Sequence, residues 1–107
     1  MNTKTTAFQA ETRERDGTAV IEMVGEINGQ ADTALTTAYS AAEQLTPSKI
    51  ILDFAQVAYI NSTGIALIVG LLAKARAAHI PLTAVALSDH YREIFTITRL
   101  SDFIEIE

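Results

Sequence analysis

Asp53-Phe54-Ala55-Gln56-Val57-Ala58-Tyr59-Ile60-Asn61-Ser62-Thr63-Gly64-Ile65 carries the chain from one kind of periodicity into another. Before it, Lys49 to Phe54 contains Ile50-Ile51-Leu52, a short apolar run without alternation. Such a run suits a strand buried on both faces, as in a parallel sheet covered by helices. After it, Ile65 to His79 repeats its apolar residues at helical spacing and stops before Pro81. The segment therefore reads as a strand entering a helix, with Asn61-Ser62-Thr63-Gly64 at the junction.

Working outward, the same alternation of strand and helix continues in both directions. Phe8 to Arg15 and Ala19 to Val24 read as strands, and Asp16-Gly17 between them accepts positive φ and closes a two-residue hairpin. Gly25-Glu26-Ile27-Asn28-Gly29 interrupts the pattern. From Gln30 to Leu45, Ala31, Ala34, Leu35, Ala38, Ala41, Ala42 and Leu45 form an amphipathic stripe; Asn28 or Asp32 can cap it, and Pro47 ends it. Downstream, Leu82 to Leu87 reads as a strand, Asp89 to Thr98 as a helix, and Phe103 to Ile106 as a last strand. The order β-β-α-β-α-β-α-β predicts an α/β fold: a mostly parallel sheet with an N-terminal antiparallel hairpin, and helices packed on the sheet. Residues 1–107 are expected to form a single domain, with 1–6 a flexible N-terminus.

Composition excludes several function classes. Hydrophobic residues make up 49% of the 107 and charged residues 20%, too apolar for wholesale disorder. A net charge of −5 without a basic stripe argues against nucleic acid, whose phosphates need surplus Lys and Arg. With no cysteine, disulfides and thiolate metal sites are excluded. Ile65 to Ala73, the longest apolar run, is far short of the ~20 residues of a membrane span. Together these predict a cytoplasmic protein with no direct membrane insertion. His79 and His90 are the only histidines, and no motif supplies Ser62 with a base. No enzyme, no catalytic residue, no metal and no cofactor are expected.

The junction itself has two readings. Ser62, just ahead of the helical periodicity, can cap unpaired backbone N–H groups, as can Thr63, and Gly64 can relieve a crowded turn. Alternatively, Ser62 is functional. At 100° per residue, Ile65, Ile68, Leu71, Leu72 and Ala75 share the core face, while Ala66, Gly70, Ala73 and Ala77 share the other, with Lys74 at its edge. A face of small uncharged residues suits close approach, by a partner or by another helix of the domain. Asp53, read as a strand end, can hydrogen-bond near Ser62.

Asp53-Phe54, Val57 and Ile60-Asn61-Ser62-Thr63-Gly64-Ile65, followed by Lys74-Ala75-Arg76, resemble the signature of STAS domains, the anti-sigma-factor antagonist family. Gly25-Glu26-Ile27-Asn28 is similar to that family's turn after its second strand, and Phe95 with Leu100 matches its Phe-x-x-x-x-Leu pattern. The resemblance implies that Ser62 accepts a phosphate from a partner that is both anti-sigma factor and serine kinase, of the histidine-kinase-like ATPase type, with a serine phosphatase to reverse it. The implied partner surface comprises Asn28, Asn61, Thr63, Gly64, Ala66, Gly70 and Ala73. Three positions depart from the family: Asn28 and Asn61 stand where it usually has Asp, and His79 where it usually has Gly. Asn keeps hydrogen bonding but loses the charge, and His tolerates left-handed backbone. The resemblance also covers phosphate-independent scaffolds and subunits of larger signalling or transport complexes.

Overall fold

A computed structural model describes residues 8–107; the expected flexible stretch 1–6 lies outside the described residues. The chain opens with a hairpin, β1 (Gln9–Arg15) and β2 (Thr18–Ile27). Asp16 and Gly17 have φ of 53° and 81°, the two positive values that a tight hairpin turn requires. A short 3-10 turn, Gly29–Ala31, leads into α1 (Asp32–Gln44), so the helix proper starts two residues later than its apolar stripe. Then come β3 (Lys49–Ile60), α2 (Ser62–Ala77), β4 (Leu82–Val85), α3 (Asp89–Ile97) and β5 (Glu105–Ile106). His79 adopts φ 60°, the left-handed geometry expected after α2. β5 is shorter than the alternating Phe103–Ile106, because Leu100–Asp102 forms a 3-10 turn and leaves Phe103 exposed.

Strand order along the sheet is β1-β2-β3-β4-β5, with the first pair antiparallel and the rest parallel. Each β-α-β unit thus steps one strand in the same direction. Right-handed crossovers that all step one way set all their helices on one face. Leu35 and Ala38 of α1, Ile68 and Leu71 of α2, and Tyr91 and Phe95 of α3 share a single apolar cluster with Ile21, Leu52 and Ala84 of the sheet. This corrects the expectation that β3 is buried on both faces. Ile50 and Leu52 are buried under the helices, whereas Ile51 points the other way and is half-buried. No helix among the described residues contributes to that second face, where Arg13 and Glu22 form a 2.7 Å ion pair.

The second correction concerns length. β3 runs to Ile60, six residues beyond Phe54, while β4 stops at Val85 opposite Asp53. Among the described residues the extension pairs only with β2, in a register broken near Met23 and again between Gly25 and Glu26. That one-sided pairing brings Ile27 and Ile60 side by side, so the turns after β2 and β3 emerge together.

Candidate functional site at the start of helix α2

Parallel strands that end in register deliver their following turns to the same edge of the sheet, which is where open α/β sheets build sites. Here the two turns begin with Asn28 and Asn61. Each asparagine has extended backbone and caps the helical turn after it: Asn28 Oδ1 accepts from Gln30 N at 2.9 Å, and Asn61 Oδ1 accepts from Gly64 N at 2.8 Å. The cap of α2 is therefore Asn61. The readings of Ser62 or Thr63 as the cap are corrected: both already have their backbone inside the helix, where a side chain no longer reaches the free N–H groups. Ser62 and Thr63 are exposed.

The two turns also touch. A Cβ added to Gly29 would lie 3.6 Å from Thr63 Cγ2, so the first turn of α2 borders the Asn28 turn. Beneath them, Asn61 N donates to Ile27 O at 3.2 Å. Gly64 is buried directly against the same carbonyl; a Cβ there would stand 2.0 Å from Ile27 O and 2.7 Å from Ile27 C. Of the residues expected on the partner surface, Gly64 is thus the one that lies underneath it. Its absent side chain lets α2 sit down on β2, and it acts on the surface only by placing its neighbours.

Ala66, Gly70 and Ala73 are exposed, as is Val69 beside them. Ala66 and Gly70 also border a shallow groove of about 190 Å³ between α2 and α1, closed by Asp32, Leu35, Thr36, Leu71 and Lys74. The small-residue face therefore adjoins a neighbouring helix without being covered by it. Ile65, assigned to the core face, is only half-buried. Asp53 does not reach this site. Its Oδ1 accepts from Ala55 N at 2.9 Å, and Ile60 lies seven positions further along the extended strand, roughly 20 Å away.

A family model for the STAS domain matches residues 9–107. The chain belongs to the STAS domain family. An anti-sigma-B factor antagonist of Listeria monocytogenes is 32% identical over 98 residues, which span 91% of this chain and 86% of the relative. Among solved structures, the anti-sigma factor antagonist SpoIIAA in its unphosphorylated form superposes with a TM-score of 0.70 at 24% identity, covering 94% of this chain and 87% of its own. The phosphorylated form of SpoIIAA, described as a Bacillus cell fate determinant, gives 0.68 at 24% identity, covering 94% and 91%. These likenesses share the fold of this chain.

One contributor escaped the sequence. Ile60 N–H donates to the hydroxyl of Tyr91, on α3, at 2.8 Å, and that hydroxyl lies 3.4 Å from Ile60 O. Tyr91 is 31 residues away and looks in sequence like one more apolar residue of an amphipathic helix, so no local signal marks it. At the far end of α2, Tyr39 is also buried, but among the described residues its hydroxyl meets no partner at hydrogen-bonding geometry. Burial first, and then the Glu43 carboxylate one turn along α1, push its ionisation well up.

Proposed function

We propose that this STAS domain is an anti-sigma-factor antagonist whose unmodified form binds a partner-switching anti-sigma factor and is released by phosphorylation at Ser62. The partner would be a serine kinase of the histidine-kinase-like ATPase type, acting in the cytoplasm, with a serine phosphatase restoring the unmodified form. The observation that carries this reading is the exposed Ser62 hydroxyl at the first turn of α2, with the uncharged exposed residues Ala66, Val69, Gly70 and Ala73 running behind it. The kinship with an anti-sigma-B factor antagonist supports it. No catalytic group of this chain is needed: the domain is a regulatory binding protein and the substrate of its partner.

Magnitudes decide how the switch would work. A phosphoserine adds about 1.5 to 2 negative charges at pH 7. At the N-terminus of α2 it is favoured by roughly 0.3 to 1 kcal/mol, too little to rearrange the fold. Carrying the same dianion into an apolar interface without a cation costs several kcal/mol. Because about 1.4 kcal/mol is tenfold in affinity, the interface effect dominates and the fold stays as it is. Incubation with the purified kinase and ATP, followed by intact mass, tests this. Ser62→Ala should abolish the added phosphate, and Ser62→Asp should weaken partner binding about tenfold or more. Full modification of the alanine variant would remove Ser62 from its role.

A specific observation favours a second reading, a phosphate-independent scaffold or subunit of a larger complex. Both Asn28 and Asn61 commit their only side-chain oxygen to a cap. What each then offers a partner is an N–H donor, where a carboxylate would offer a second, charged oxygen. Stable complex formation with no phosphate transferred from ATP would select this reading.

A further inference from the structure

We propose that Tyr91 is the positioning residue for the phosphoacceptor turn, fixing the Ser62 hydroxyl from across the domain; the inference rests on the reading of Ser62 as acceptor. The argument begins with what β3 lacks. Past Asp53 it has no β4 beside it, because β4 ends at Val85. A buried strand end with one neighbour leaves N–H and C=O groups to be satisfied on its free side. At Ile60, which is buried, one side chain attends to both: the Tyr91 hydroxyl accepts from Ile60 N at 2.8 Å and stands 3.4 Å from Ile60 O, oriented to donate.

The next residue is held from the opposite side. Asn61 N donates to Ile27 O of β2, and Asn61 Oδ1 takes the Gly64 N–H. The two residues ahead of Ser62 are thus clamped between β2 and α3, and Ser62 is the first residue free of the clamp. Tyr91 is itself fixed. Its N–H meets the Ser88 cap at 3.3 Å, its ring stacks edge-on with His90 at 4.9 Å, and Phe95 one turn on packs edge-on against Phe54 at 6.0 Å. Among the described residues Tyr91 hydrogen-bonds to Ile60 and Ser88 and to no residue of α2, so its hydroxyl should affect where the acceptor oxygen sits rather than how tightly the partner docks.

The test compares wild type, Tyr91→Phe and Phe95→Leu in the kinase reaction at Ser62. Tyr91→Phe keeps the ring and removes the clamp; Phe95→Leu loosens α3 without touching it. Tyr91→Phe should lower kcat about tenfold or more with KM within about twofold, since small misplacements of a reacting atom act on the chemical step. Phe95→Leu should lower Tm at least as much and leave kcat within about twofold. Wild-type kcat in Tyr91→Phe, or an equal loss in Phe95→Leu, overturns the proposal. If wild type accepts no phosphate, the function proposed for Ser62 fails instead, and amide exchange decides this one. Exchange about tenfold or more faster in Tyr91→Phe, confined to Ile60–Gly64, upholds the clamp; no change, or a change spread over the domain, overturns it.

Discussion

Helix α2 is built differently at its two ends. At the N-terminal end the fit is close and the polar groups are paired. Gly64 lies against Ile27 O, Asn61 caps the helix, and Ile60 is held by Tyr91. At the C-terminal end, Lys74, Ala77 and Ala78 line an open cleft with Tyr39, Ser40 and Glu43, and the Tyr39 hydroxyl is buried without a partner among the described residues. The helix is the same, so the difference lies in what each end must hold still. Only the first end presents the exposed Ser62 and Thr63.

The largest effect should come from filling the space at Gly64. The two nearest atoms that a Cβ would meet, Ile27 O and C, are backbone, which cannot swing aside as a flexible side chain does. Gly64→Ala must lift α2 from β2, at a cost of about 3 kcal/mol. In a domain of this size that lowers Tm by roughly 10 to 20 °C. At Gly70, where a Cβ meets open space, alanine should if anything stabilise, by about 0.5 to 1 kcal/mol from helix propensity alone. Urea or thermal melts of both variants check the pair. Equal effects would mean that α2 is not seated on Ile27 O as described.

The caps come next. Asn61→Ala should cost about 1 kcal/mol, because the residue caps a helix of 16 residues and its loss frays the turn that bears Ser62. Asn28→Ala should cost less, about 0.5 kcal/mol, since the turn it caps is only three residues long. Asn61→Asp should keep the cap and gain roughly 0.3 to 1 kcal/mol by placing a carboxylate at the positive end of the helix. Chemical denaturation ranks the three. A costlier Asn28 variant would mean that the first turn supports the second, reversing the order of dependence.

How much of this is legible in the sequence depends on whether a signal is local. Asp16-Gly17 announces the hairpin because two positive φ values are a property of the dipeptide itself. The left-handed His79 is local too, since Pro81 and the end of the apolar stripe flank it. Asn61, Ser62 and Thr63 are three adjacent residues that can each cap, and only the backbone angles choose among them. The length of β3 is hidden for a different reason. Ala55 to Tyr59 are mostly exposed and, among the described residues, pair on one side only, so no hydropathy pattern accompanies them. Gly64 is visible as a glycine, but whether it faces a partner or Ile27 O depends on a contact with residues 37 positions earlier. That all helices share one face is a consequence of the strand order, which no single segment contains.

Tyr39 gives the smallest effect and the sharpest test of the loose end of α2. Among the described residues the buried Tyr39 hydroxyl has no partner; such a group has lost water and gained nothing, so Tyr39→Phe should be neutral or slightly stabilising at pH 7, within about 1 kcal/mol. The variants should separate only in alkali. Folding raises the Tyr39 pKa above its ordinary 10.0, through burial first and the Glu43 carboxylate second, so the folded state holds the proton more tightly. The corresponding stability is therefore complete below pH 10.0 and declines above it, as the unfolded tyrosine ionises and the folded one does not. As the pH rises above 10.0, wild type should lose more stability than Tyr39→Phe, measured by urea melts at each pH. Parallel curves would mean that the hydroxyl is solvated after all. The two ends of α2 would then differ in packing alone, and not in how their polar groups are satisfied.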